Sequence, residues 1–419
     1  MLVLVFIRLS TRILQMFNRN EKILLFTLAA IQFNHIVDFM IVMPLGPKLM
    51  RIFEISPGQF SSLVSIYTLM AGLSGFLATF YVDKFDRKNN LLFMFIGFIV
   101  STTLCGTAEN FEWLLIARAF AGFFGGIMNS LILSIVSDLI NYDRRGAAMG
   151  TITSAFSIAS IAGIPISLYL SDHFNWHAPF MFLALTSIAV FGVAYKFIPP
   201  VRGHLNSTAS LTKENPLLAI LKNPVQMMAL AFMFVLMLGH FSIIPFISPS
   251  LVANAGVDEK YLPFIYLVGG FCSMLTAPFI GQLSDRVGKA KVFTWALFLS
   301  VIPILLITHQ NVAPLYVVLA TAGLFFVSAV SRMLPAQALI SSAADPAHRG
   351  SFMSILSCVQ SLSMATGAWM AGKIIVKNEI TGHLDNYSVV GYIAVLVGFI
   401  SLLLLQKIKY LDITKGKTT

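Results

Sequence analysis

Charge is what this 419-residue chain has least of. Asp, Glu, Lys and Arg make up 11% of it, against 57% hydrophobic residues, and the mean hydropathy is +0.83. So little polar surface cannot cover a water-soluble domain of this size, which excludes a soluble enzyme or carrier. Cysteine is scarce too: Cys105, Cys272 and Cys358 all fall in apolar runs, so reduced thiols are expected and no structural disulfide. Also missing are a phosphate-cradling loop, an H-E-x-x-H pair and any Cys/His cluster at metal spacing, the eight His being scattered over loops and separate helices. No metal, no cofactor and no nucleophile with its base is therefore expected, and the chain is not expected to be an enzyme.

What is abundant is apolar sequence in runs of the roughly 20 residues that a bilayer requires. About twelve such spans lie near 23–43, 59–81, 90–108, 113–137, 147–170, 177–197, 226–249, 261–283, 292–308, 313–335, 351–376 and 388–405. They predict an all-α membrane protein. The net charge of +10 would suggest nucleic acid in a soluble protein, so its distribution matters more than its size. If the N-terminus is cytoplasmic, about 21 of the 28 Lys and Arg fall in cytoplasmic segments, and five (Lys48, Arg51, Lys260, Lys373, Lys377) in the opposite loops. This asymmetry places both termini in the cytoplasm and makes the basic charge a matter of topology, with no nucleic-acid partner. Residues 1–22 read as a cytoplasmic lead, either uncleaved or preceding the true start: Arg8 and Arg12 interrupt its apolar run and no small-residue cleavage pattern follows.

The stretch Asn34-His35-Ile36-Val37-Asp38-Phe39, running on to Pro44 and Pro47, sets an acid inside an apolar helix. Thr27, Asn34 and Asp38 are seven and four residues apart and His35 is three before Asp38, so one helical face gathers the polar groups near midplane. An ionised Asp at the centre of a span costs about 2.5–3.5 kcal/mol, enough to demand a partner, a wet cavity or a bound proton. The bland alternative is a structural hydrogen bond between helices. About 200 residues later, His240-Phe241 through Pro249 repeats this texture, with His240 over Asp38 and Pro249 over Pro47. Such an echo predicts a duplicated membrane half, 23–197 and 226–405, joined by a polar linker, 198–225, and closed by a tail, 406–419. Leu217 to Leu221 in the linker are expected along the membrane surface.

A second echo carries a signature. The turn after span 8 reads Gly281-Gln282-Leu283-Ser284-Asp285-Arg286-Val287-Gly288-Lys289, and the turn after span 2 reads Thr79-Phe80-Tyr81-Val82-Asp83-Lys84-Phe85-Asp86-Arg87. The first of these is the G-x-x-x-D-R-x-G-[RK] motif, and by it the chain resembles the major facilitator superfamily; the other is a worn copy. The resemblance implies the major facilitator fold, twelve transmembrane helices in two pseudo-symmetric six-helix bundles. It also implies that Asp83 and Asp285 close a cytoplasmic gate by sitting near helix N-termini of the opposite half, with Arg87, Arg286 and Lys289 completing the charge network. Plain topological anchoring is the other reading of those cations. Thr79 and Asp86 replace the motif's two glycines and are expected to hinder tight turning.

In span 4, Leu114 to Gly126 includes Arg118 followed by Gly122, Gly125 and Gly126, a pattern similar to the span-4 motif of proton-coupled members. At 1.5 Å per residue Arg118 lies roughly 10 Å deep, level with Asp38, so a charge pair is feasible; snorkelling to the outer headgroups is the alternative. The glycines are expected to pack helices rather than touch ligand. In span 5 Gly163 and Pro165 keep a kink but lack the antiporter motif's adjacent Gly-Pro. Ser154, Ser157 and Ser160 are expected either to line a cavity or to bond back to their own helix. Arg332 is expected near the cytoplasmic end of span 10, in water or the gate network, outside the central site.

The resemblance extends to the drug/proton antiporter and sugar-efflux branch, the arabinose-efflux-like permeases. It implies a multi-pass inner-membrane transporter, a functional monomer, that exports a small molecule by proton antiport through alternating access. Asp38 and Arg118 would couple the proton, while Asn34, His35, Asn129, His240 and Gln360 would orient substrate, beside Phe39, Tyr67, Phe120 and Phe241. The first rival reverses direction, importing by proton symport or facilitation. The second, from another class, is a non-transporting membrane sensor or an intramembrane enzyme, which the lack of a signalling domain and of any nucleophile-base constellation disfavours.

Overall fold

A computed structural model describes residues 17–78, 84–202, 220–343 and 349–415. Twelve long helices run through it. Those of the first half are Arg19–Ile41, Pro57–Ala78, Arg87–Gly106, Phe111–Leu139, Tyr142–Ile158 continued to His173, and Ala178–Phe197. Those of the second are Pro224–Ile243 continued to Ala253, Leu262–Val287, Lys289–Thr308, Leu315–Ala343, Arg349–Ile374 and Tyr387–Lys415. They are spans 1 to 12 below. With no water in a bilayer to satisfy the backbone, continuous helix is the form open to such runs. Eleven are long and apolar enough to cross a membrane; span 11 falls outside that set because serines and Gln360 interrupt its apolar residues.

Helix starts follow local chemistry. Asn18 and Glu21 form a reciprocal capping box at 2.8 and 2.9 Å, and the side chains of Asn110 and Asn223 cap spans 4 and 7. Span 1 stops at Ile41, turns through 42–45 and restarts as Gly46–Ile52, because Pro44 and Pro47 remove amide donors there. Its echo behaves alike: span 7 tightens to a 3-10 turn at Ile244–Phe246, which holds Pro245, before Ile247–Ala253. Span 5 holds a π segment, Ala159–Gly163, that ends two residues before Pro165, so the helix is irregular where the kink is expected.

Two bundles result. Span 4 packs on spans 2 and 3 in the first, and span 10 on spans 8 and 9 in the second. They meet where span 2 lies along span 11 and span 5 along span 8. The two ends of the molecule differ. At the end carrying Lys84, Arg144, Arg202 and Arg286, here the basic end, a Cβ added to Gly75, Gly146, Gly150, Gly281 or Gly350 would meet nothing within 4 Å among the described residues. At the far end the bundles touch closely: a Cβ on Gly46 would come within 2.7 Å of Phe60 and 2.8 Å of Pro249, and one on Gly372 would strike Ser61. Arg51 binds Glu259 across this seam at 2.6 and 3.3 Å. A two-stranded ribbon, Val376–Lys377 with Leu384–Asp385, covers the far end of the second half, held by paired bonds between Asn254 and Leu384.

One expectation changes. Asp86 does not obstruct its turn: at φ −55° it caps span 3 through the Lys88 amide and receives the Val201 amide at 3.1 Å and Arg202 Nε at 2.8 Å. The residue that replaces a motif glycine thus ties the linker's first residues to the bundle. At the other end of the linker, residues 217–219 lie outside the described set, Ile220 is in the hydrophobic core and Leu221 is exposed, so the stretch expected along the membrane surface shows one side chain on each face. Burial pushes the Asp86 pKa up, but the bonds from Arg202 and the amides of Val201 and Lys88 outweigh it and hold the carboxyl below the ordinary carboxylate range. A lowered folded value means the tie is present above about pH 4 and is lost as pH falls through that lowered value. Asp86→Asn should therefore speed hydrogen exchange at the Val201 amide at neutral pH, and wild-type exchange should approach the variant's only in acid. Equal protection in the two proteins at pH 7 would remove this role.

Candidate functional site

Span 4 shows how sequence positions the site. Gly122 sits against the backbone of Tyr67, and Gly126 against that of Ala71, so closely that an added Cβ would overlap the carbonyl oxygens of both. Small residues thus draw spans 2 and 4 together, as expected. One turn before Gly122, Arg118 lies with its guanidinium carbon 4.2 Å from the centre of the Tyr67 ring. Its Nη1 donates to Asp38 Oδ2 at 2.9 Å and to the Asp38 carbonyl at 3.0 Å. Thr102 of span 3 donates its hydroxyl to Asp38 Oδ1 at 3.2 Å. Both Asp38 and Arg118 are 0% exposed, so the arginine does not snorkel.

A cavity of ≈ 180 Å³ lies between the bundles, bounded by spans 1, 2 and 4 on one side and span 11 on the other. At about 30 Å³ per water it holds some six waters or a small organic molecule. His35, Phe39, Tyr67, Asn129 and Gln360 are on its wall, with Ser130, Ser354, Ser357 and Ser361 adding hydroxyls. Asp38 and Arg118 are behind that wall. Tyr67 and His35 stand between them and the cavity, both reaching toward Gly125: its added Cβ would lie 2.7 Å from His35 Nε2 and 3.0 Å from the Tyr67 hydroxyl. Tyr67 Oη and both His35 nitrogens are enclosed without a hydrogen-bond partner among the described residues.

Other candidates are placed differently. Asn34 faces span 6, accepting from Thr186 at 2.8 Å and donating to the Ala30 carbonyl, so its polar atoms are used in packing and not on the cavity wall. His240 lies inside the second bundle, its ring stacked on Phe325 at 6.2 Å; Phe241, the next residue, packs against Phe39 at 6.1 Å. Phe120 is 51% exposed on the outer face of its helix and does not approach the cavity, since positions two apart on a helix point apart. Ser154 and Ser160 bond back to the carbonyls of Thr151 and Phe156. Arg332 overturns its expected place near water: it is 3% exposed, in the core of the second bundle. Thr102, Tyr67's role beneath Arg118 and the hydroxyl row of span 11 had no readable signal, because serine and threonine within a span usually bond only their own helix.

At the basic end, Asp285 and Arg286 are exposed and Lys289 opens span 9 half-exposed. Arg87 pairs with Asp138 of span 4 at 3.3 Å, within its own bundle and not across the gate. Asp83 and Thr79 lie outside the described residues.

Twelve long helices in two bundles with a cavity between them are the architecture of a membrane transporter rather than of an enzyme. The chain belongs to the Major Facilitator Superfamily, whose family profile matches residues 28–368 and, in a second match, 230–417. It is 25% identical over 361 residues to the uncharacterized MFS-type transporter YceJ of Bacillus subtilis, covering 85% of this chain and 90% of that protein. It is 24% identical over 286 residues to a probable sugar efflux transporter of Helicobacter pylori, covering 68% and 71%. Among solved structures, a bacterial homolog of the human lysosomal transporter Spinster, inward-facing and unoccupied, superposes with a TM-score of 0.66 at 16% identity over 94% of this chain and 96% of that one.

Proposed function

We propose that the protein is a secondary active transporter of the inner membrane that exports a small molecule in exchange for protons by alternating access. The observation that carries this reading is the Asp38–Arg118 pair, sealed one side chain behind the cavity wall and touching that wall through Tyr67. In it Asp38 is the proton carrier and Arg118 its partner. His35, Asn129 and Gln360 face the substrate.

The positive-inside asymmetry puts the basic end and both termini in the cytoplasm. The sparse contacts at the basic end and the closed far end fit an inward-open state, in which gate residues Asp285, Arg286 and Lys289 make no ion pair among the described residues. In this state the acid and the guanidinium are paired, as expected after the proton has left and before export. Substrate loads from the cytoplasm and the bundles rock outward. A proton then binds Asp38, which loosens Arg118, shifts Tyr67 beneath it and lowers the affinity of the cavity. Substrate leaves, and the protonated carrier returns. Differential interaction with the two states is what couples the fluxes. One chain holds the whole pathway, consistent with a functional monomer. The test is substrate-dependent proton flux in proteoliposomes with Asp38→Asn, argued in the Discussion.

The far-end seam supplies a second test. Arg51 and Glu259 form a bidentate pair between the bundles, but it is largely exposed on the arginine side, which limits its contribution to about 1 kcal/mol, or fivefold in an equilibrium. Arg51→Ala should shift the protein away from the inward-open state, slowing maleimide reaction of the cavity-wall residue Cys358 by up to about fivefold in a Cys105→Ser/Cys272→Ser background. The exchange Arg51→Glu with Glu259→Arg should restore the rate. An unchanged rate in Arg51→Ala would show that the pair does not hold the seam.

A further inference from the structure

Span 10 buries a charge that proton coupling does not use. Arg332 is 3% exposed, and its Nε and Nη2 are enclosed with no hydrogen-bond partner among the described residues. The hydroxyls beside it do not serve it: Ser328 and Ser331 donate to the carbonyls of Phe325 and Val327 in their own helix. Two turns before Arg332 on span 10, Phe325 lies parallel to the ring of His240 of span 7, with centroids 6.2 Å apart. His240 Nδ1 is likewise enclosed and unpartnered. Among the described residues Asp38 is the carboxylate well inside a span, and it is committed to Arg118. The interior of the first bundle is thus neutral as a pair, and that of the second carries one uncompensated cation.

An unpaired charge within a membrane protein opposes folding, and such groups mark ion or substrate pathways. The position is not remote from the cavity: Phe241, adjacent to His240, packs on the wall residue Phe39. Arginine is also the side chain whose planar fork matches two oxygens of one anionic group.

We propose that Arg332 and His240 form the receptor for an anionic group, so that the transported molecule is a small organic anion whose apolar body lies against Phe39 and Tyr67. Nε–H and Nη2–H of Arg332 donate to the two oxygens of a carboxylate, or of a sulfonate, and His240 donates a third bond from Nδ1–H in its neutral form. A neutral sugar or an organic cation leaves the guanidinium uncompensated. This assignment rests on the transporter reading and adds the class of substrate to it.

The test is thermal unfolding of the full-length protein in detergent, where no proton gradient is present and coupling does not enter. The probes are benzoate and 1-naphthoate, with benzamide and benzylammonium as neutral and cationic matches of benzoate. The carboxylates should raise the wild-type melting temperature in a saturable manner, and the neutral and cationic probes should need at least tenfold higher concentration. Arg332→Gln should lose that response by at least tenfold, while Arg332→Lys keeps part of it. Without ligand, Arg332→Gln should melt at or above wild type, because it removes a charge that has no partner. A lower melting temperature for that variant would indicate a structural guanidinium and overturn the proposal. So would equal responses to benzoate and benzamide, no response to either carboxylate, or a wild-type response in Arg332→Gln. Proton coupling is read as flux in proteoliposomes and the anion receptor as a melting shift in detergent without a gradient, so failure of the one and failure of the other give separate readings.

Discussion

Asp38→Asn stops substrate-driven proton movement in proteoliposomes, down to the rate of protein-free vesicles, while exchange of labelled for unlabelled substrate without a gradient continues. This is the expected result if Asp38 carries the proton, because Asn keeps the shape and one acceptor oxygen for Arg118 Nη1 but has no ionisation to cycle. A structural acid predicts the reverse, with exchange and coupling lost together as the bundle loosens. The two are separated further by stability. Removing one member of a buried ion pair typically costs about 3–5 kcal/mol because the other is left uncompensated, whereas replacing both by apolar groups of similar size is often neutral. Arg118→Leu should therefore destabilise the protein by about that amount. The double variant Asp38→Asn/Arg118→Leu should recover most of the loss in thermal unfolding and still transport no protons. Intact pH-driven transport by Asp38→Asn would end the assignment.

The second large effect lies at the contact that builds the site. Gly122→Val should prevent accumulation of folded protein, and even Gly122→Ala should cost about 1–3 kcal/mol or more, the usual penalty for overpacking. The reason is specific to this position: the added carbon meets the Tyr67 carbonyl and Cα, backbone atoms that cannot swing aside as a side-chain tip can. Separating spans 2 and 4 would also withdraw the Tyr67 ring from Arg118. Gly281→Ala is the control within the same protein. Its Cβ enters open space, so it should fall within about 0.5 kcal/mol of wild type. Its effect, if any, should appear in transport, when the basic end closes. A Gly122→Ala protein as stable as wild type would show that the close approach of spans 2 and 4 is not required.

Several features of the fold were legible in the chain because they depend on short-range chemistry. Prolines at 44, 47 and 165 sit where helices end or turn irregular at the expected places, since a missing amide acts locally. Asp38 was conspicuous because a carboxylate in an apolar run has few reasons to be there. Its pairing with Arg118 followed from counting residues in from the helix ends. Rotation is where such counting fails. Asn34 shares a face with Asp38 by spacing, yet it is used by Thr186, and Phe120, two residues from Arg118, turns outward. Arg332 was misplaced for a related reason: distance along the helix suggested water at the cytoplasmic end, but the residue is 3% exposed.

Composition, charge asymmetry and two repeated turns determined by themselves that this is a membrane transporter of twelve helices in two related halves, because hydropathy, backbone satisfaction and charge placement act along the chain and need no partner. Only the tertiary structure decided which polar groups share a wall, that Asp38 is sealed behind Tyr67, and that the guanidinium of Arg332 has no counter-charge among the described residues. Those outcomes depend on the azimuth at which each helix meets its neighbours, which is set by where glycines allow backbones to touch, and no single span carries that information.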